Sequence, residues 1–168
     1  NLHNGSNFLS FYVLPENPTP ENVFGDKIAW ISKIIGEGKV SYRLPDGSWE
    51  GNLKTFSRTG AYWVTIEAPD DKIFAFDHDV EGIISDPDIL YNIHPGQNWL
   101  SYPNGSNSEL TAAIPEAFAS LFTKITSEGK ATELNENGWT GNLTEFTPGY
   151  GYTFKAENAA QGFSYKCD

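Results

Sequence analysis

The stretch Leu2-His3-Asn4-Gly5-Ser6-Asn7-Phe8-Leu9-Ser10-Phe11 returns 91 positions later as Ile93-His94-Pro95-Gly96-Gln97-Asn98-Trp99-Leu100-Ser101-Tyr102. The same offset carries Lys33-Ile34 and Glu37-Gly38-Lys39 onto Lys124-Ile125 and Glu128-Gly129-Lys130. After a one-residue deletion, Trp49-Glu50-Gly51-Asn52-Leu53 becomes Trp139-Thr140-Gly141-Asn142-Leu143, and Phe56 and Tyr62 become Phe146 and Tyr152. Phe74 and Phe76 match Phe163 and Tyr165. Self-similarity of this kind means that one supersecondary unit must form twice. The chain of 168 residues is read as copy one at 1–78, a linker at 79–90 and copy two at 91–168.

The two copies constrain each other's elements. Thr19-Pro20-Glu21 is an N-cap followed by proline, and Phe24, Ile28, Ile31 and Ile35 recur at helical spacing, which favours one long helix in copy one. In copy two Pro115 interrupts that pattern, and Leu121 to Thr126 alternates and is β-rich. A short helix is therefore expected near 20–26 and 108–119, then a strand near 29–35 and 121–127. Strands are also expected over Phe8 to Leu14, Trp99 to Tyr102, Tyr62 to Glu67, Tyr152 to Ala156, Ile73 to Phe76 and Phe163 to Lys166, with turns at Pro45-Asp46-Gly47 and Asn135 to Gly138. The fold class is α+β: two tandem copies of a β-α-β-β-β unit, dominated by antiparallel sheet and packed together. A unit this small buries too little surface to be more than marginally stable alone. The copies are expected to share an apolar interface, with Ile83, Ile84 and Ile89 of the linker lying against the protein.

Charge excludes one class of partner. Eleven basic residues against 22 acidic ones leave a net charge of -11, which repels phosphate backbones and anionic membranes. No run of residues is long and apolar enough to predict a membrane span. Cys167 is the only cysteine, so no intrachain disulfide forms. Its place near the end favours an unpaired thiol over a link to a neighbouring chain. The start at Asn1 without Met predicts a removed leader or a cut from something longer.

The most repeated polar feature is Trp-x-Gly-Asn-Leu with a tyrosine about ten residues on. Trp49, Asn52, Tyr62, Trp139, Asn142 and Tyr152 are the candidate binding residues: an aromatic platform for sugar rings or a partner's apolar patch, with amides hydrogen bonding beside it. The alternative, favoured by their repetition, is that the tryptophans fill small cores and the asparagines cap turns. Gly36-Glu37-Gly38-Lys39 and Ser127-Glu128-Gly129-Lys130 lack the spacing of a phosphate loop and read as solvated turns. Asp70-Asp71 and Asp77-His78-Asp79 do not fit a calcium loop, and three dispersed histidines make no zinc site, so no metal or other cofactor is expected. No nucleophile elbow is present, and the chain is read as a non-enzyme.

The Asn-x-Leu-Ser-aromatic first strand, the Glu-Gly turn, Trp-x-Gly-Asn-Leu and Gly149-Tyr150-Gly151-Tyr152 together resemble a repeat module of secreted marine bacterial proteins and marine phage virions. Copy one departs from it at Thr59-Gly60-Ala61-Tyr62. The resemblance implies a non-catalytic module outside the cell or on a virion, binding a protein or glycan surface or assembling into a larger particle, and it transfers no site residues. A glycan-acting hydrolase with a carboxylate pair and a purely structural spacer or decoration protein are the alternatives.

Overall fold

In the computed structural model, which describes residues 1–69 and 75–166, the period-two alternation folds into two five-stranded antiparallel sheets. The first contains β1 (Gly5–Ser10), β2 (Ile31–Gly36), β3 (Lys39–Arg43), β4 (Trp49–Gly51) and β5 (Ala61–Ile66), in the order β1-β5-β2-β3-β4. The second contains β6 (Gly96–Leu100), β7 (Phe122–Ser127), β8 (Lys130–Asn135), β9 (Gly138–Gly141) and β10 (Tyr152–Ala156), in the order β6-β10-β7-β8-β9. The protein is thus mostly antiparallel β-sheet with few helices.

Between β1 and β2 lies α1 (Pro20–Phe24), continued by a 3₁₀ turn at Gly25–Trp30. Thr19 caps α1, its Oγ1 accepting from the Asn22 N–H at 3.3 Å, with Pro20 in the first turn. The equivalent connection holds α2 (Leu110–Ala113) and a 3₁₀ turn at Glu116–Phe118, separated by Pro115. The strand that follows begins at Ile31 in one half and Phe122 in the other. The long helix favoured by copy one's spacing is therefore absent.

Each sheet covers its own core. Phe11, Phe24, Ile34, Phe56, Tyr62 and Val64 meet beneath the first sheet, and the second buries Phe122, Phe146, Phe154, Phe163 and Tyr165. Val64 and Ile66 give way to Phe154 and Ala156 at the matching positions, so a larger side chain is offset by a smaller one two residues on. Phe154 lies within 6.1 Å of the ring centroids of Phe122, Phe146, Phe163 and Tyr165.

Three expectations need correction. The first strand stops at Ser10, whose N–H on the open edge donates to the Gly149 carbonyl of the other half at 2.9 Å. Val13–Leu14 then forms a separate two-residue ladder with Ile83–Ile84. Ile83 and Ile84 do not pack on the protein: they are 61% and 69% exposed. Main-chain bonds to Val13 and Leu14, the Ser85 N–H on the Tyr12 carbonyl at 2.6 Å and the Arg58 guanidinium on the Ile83 carbonyl at 2.7 Å hold this connection instead. Ile89 alone of the three packs against a core. The last strand runs Ala160–Phe163, paired with Tyr91–Ile93, and ends there because the Lys166 N–H is drawn to Ala113 O at 2.8 Å. In the first half Ala75–Phe76 pairs with Leu2–His3. Ile73 and Phe74 fall outside the described residues, as do Asp70, Asp71 and Cys167.

Because four rings surround it with no exposed edge, Phe154→Ala should destabilise the chain by about 3–5 kcal/mol in denaturant unfolding. Truncating half-buried Trp139 should cost clearly less.

Candidate functional site

The tips of the β2–β3 and β7–β8 hairpins each carry a glutamate that crosses to the other sheet. Glu128 Oε1 accepts from His3 Nε2 while Oε2 accepts from the Phe8 N–H at 2.9 Å. Glu37 Oε1 pairs with His94 Nε2, and its Oε2 accepts from the Trp99 N–H at 2.7 Å. These are the same contacts under the 91-residue offset, run in opposite directions. The remainder of the seam is reciprocal as well. Leu9 bridges to Tyr150 and Leu100 to Gly60, and the Ser10 N–H donates to Gly149 O as the Ser101 N–H donates to Thr59 O. Inside each strand entrance an asparagine fixes the histidine: Asn7 Oδ1 accepts from the His3 N–H at 2.8 Å, and Asn98 Oδ1 from the His94 N–H at 2.9 Å.

The aromatic part of the seam is not duplicated. Phe8 is buried there, stacked on Trp63 at 4.7 Å and edge-on to Trp99 at 5.6 Å. Gly151 permits this approach, since a Cβ there would stand 2.9 Å from the Ala61 methyl and 3.1 Å from the Phe8 ring. In place of the apolar interface expected, the two sheets meet through main-chain bonds and His–Glu pairs around one aromatic cluster.

The surroundings of both histidines favour the cationic form. Nδ1 of His3 faces the Asn4 carbonyl at 2.8 Å and Nδ1 of His94 the Pro95 carbonyl at 2.9 Å, so each ring lies between two acceptors and satisfies both only when doubly protonated. The backbone carbonyl first, then the glutamate, raises the pKa of each histidine above its ordinary 6.5. The reading of these Glu-Gly-Lys turns as merely solvated missed this. The sequence shows only that glutamate and histidine recur at one offset, not that they meet.

The six candidate residues hold local structure. Asn52 Oδ1 accepts from the Val40 N–H and Asn142 Oδ1 from the Ala131 N–H, both at 2.8 Å. Gly51 and Gly141 let the chain cross its neighbour strand, where a Cβ would come within 2.2 Å of a carbonyl oxygen. Trp49 and Trp139 are half-buried against separate cores on the outermost strands. Tyr62 and Tyr152 are buried, their hydroxyls accepting from the Ser57 N–H at 2.6 Å and the Thr147 N–H at 2.7 Å. Burial pushes the Tyr152 hydroxyl up to about 12. The tyrosines lie at the seam and the tryptophans and asparagines toward the far edges, so the six do not form one platform.

Two clefts flank the seam, one on each side. The larger, of about 550 Å³, is lined by His3, Tyr12, Asn107, Glu128, Glu145 and Tyr150 among others. The smaller, of about 330 Å³, holds the offset counterparts Glu37, Lys39, Gly60, His94 and Leu100. Among the described residues no group of three or more His, Cys, Asp or Glu side chains is placed to hold a metal ion. Asp77 instead accepts from the Asn1 amide at 3.1 Å, and His78 bonds the Val23 carbonyl at 2.8 Å. Among the described residues, no helix is long and apolar enough to cross a membrane. No family model, curated protein or solved structure matches this chain.

A histidine whose pKa is raised on folding adds stability that is complete below its ordinary value and is lost as pH climbs through the raised one. Stability in denaturant should therefore fall as pH climbs above the ordinary histidine value of 6.5. In the double variant Glu37→Gln and Glu128→Gln the loss should be shallower and the protein weaker at pH 6, because the carbonyl contacts remain while the carboxylates are gone.

Proposed function

We propose that the chain is a non-catalytic binding or assembly module displayed outside the cell or on a virion, of the repeat type its motifs resemble. In this reading it is an α+β protein made of two tandem β-α-β-β-β copies, 1–78 and 91–168, joined by the linker at 79–90. The observation that carries it is the reciprocal seam: His3, Glu128, His94 and Glu37 pair with one another across the two halves. The ionisable groups that combine an acid and a base are thereby committed to holding the halves together. What faces solvent in the larger cleft is an aromatic ring with amide and carboxylate groups, which suits recognition of a glycan or protein surface.

The glycosidase alternative needs two free carboxylates flanking a bond. Glu128 in the larger cleft and Glu37 in the smaller each have both oxygens engaged, which leaves Asp79 and Glu145 of the larger cleft as the pair this alternative would have to use.

Incubation with washed bacterial envelopes and with insoluble polysaccharides tests the reading. Co-sedimentation with at least one of these surfaces is expected, without release of reducing sugar. Catalytic release of sugar would overturn the non-enzymatic reading, and absence from every pellet would overturn binding.

A further inference from the structure

The two clefts share a matched set of residues and differ elsewhere, and the differences carry information. Whatever the seam needs structurally it has on both sides: His3 and His94, Asn7 and Asn98, Leu9 and Leu100, Glu128 and Glu37, Tyr152 and Tyr62. Tyr150 has no such counterpart. Gly60 occupies its place opposite Leu100, and the main-chain bridge forms equally well there. Folding therefore does not call for the ring, yet it stands 44% exposed on the wall of the larger cleft. Tyr12, on the same wall, falls at the offset position of Pro103. Tyr12 and Tyr150 thus belong to one side only.

Resting on the binding-module reading, we infer that the cleft at Tyr150 is the ligand site and that it takes a neutral saccharide chain, with the sister cleft left as scaffold. An exposed tyrosine ring offers a flat apolar face to the C–H side of a sugar, and the amide of Asn107 and the carboxylate of Glu145 offer a donor and acceptors to its hydroxyls. The charged groups lining the cleft are of both signs: Glu128 is paired with His3, and Lys130 shares the lining with Asp79 and Glu145. Carboxylates outnumber lysine on this lining, and the net charge of -11 repels an anionic ligand at long range.

Isothermal titration of the full chain with the soluble hexasaccharides of cellulose, chitin, laminarin and mannan tests the assignment. At least one should bind, and Tyr150→Ala should weaken it roughly tenfold or more, the loss of one stacked ring. Tyr150→Phe should retain most of the affinity. Tyr42→Ala should leave it unchanged, since Tyr42 is a similarly exposed ring on β3, away from the cleft. Thermal melting of Tyr150→Ala should match wild type, because glycine serves at the equivalent position. Affinity that survives Tyr150→Ala would overturn the cleft assignment while leaving the module reading intact. Failure of all four sugars, with retention on bacterial envelopes but on no polysaccharide, would overturn the saccharide class alone. No retention on any surface would overturn both.

Discussion

Glu37 and Glu128 sit at the turns of tight hairpins and place both carboxylate oxygens on the sheet they do not belong to. Each oxygen meets a different kind of donor, one an imidazole and the other a main-chain N–H of an edge strand. The second contact matters as much as the first. β1 and β6 are sheet edges, and an unpaired edge is a template for further strand addition. The carboxylate covers an N–H that would otherwise be offered to any passing chain, and the bridges at Leu9 and Leu100 close the edge against the other half. The geometry of both clefts follows from this closure, since the hairpin tip, the histidine and the bridge define their shared wall.

Beneath the seam, each half keeps its own core, and the Asn-Leu pair after each outermost strand is what ties that strand in. The asparagine side chain accepts from a main-chain N–H of the adjacent strand while its own N–H returns to the carbonyl of the same residue, Val40 in one half and Ala131 in the other. This bends the chain inward so that Leu53 and Leu143 reach the core. A side chain that reproduces a main-chain ladder bond ends the sheet without leaving buried donors unmet.

Much of the architecture was legible because the sequence states it twice. Pro115 excluded one continuous helix, and Thr19-Pro20 marked a cap that the structure shows. The parts that were not legible depend on contacts between residues far apart in the chain. Ile83 and Ile84 looked like residues that must be buried, yet hydrophobicity alone does not say whether the backbone will be held by a ladder and by Arg58. The repeated residues drew attention to Trp49, Asn52, Trp139 and Asn142, whose repetition reflects packing within each half. Glu37 and Glu128 were equally repeated, but a turn glutamate has no local partner to betray its role. Tyr150 was visible only as part of a Gly-x-Gly-Tyr string, and its exposure could be learned only from the fold.

A reciprocal seam is the contact a symmetric dimer makes, where any change on one side appears on both. Joining the proposed copies in one chain keeps them at high effective concentration through a connection that is itself anchored to the first half. It also removes the symmetry constraint, because each cleft is then lined by separately encoded residues. The pairs that hold the halves together stay matched, since loss of either weakens the same closure. Positions that only line a cleft are free to diverge, and the pair Tyr150 and Gly60 is where they have. The single aromatic cluster of Phe8, Trp63 and Trp99 follows the same logic, with Trp63 replaced by Thr153 at the corresponding place in the second half. Positions the closure does not use are thus the ones where a tandem chain can differ between its halves, and Tyr150 and Gly60 are such a pair.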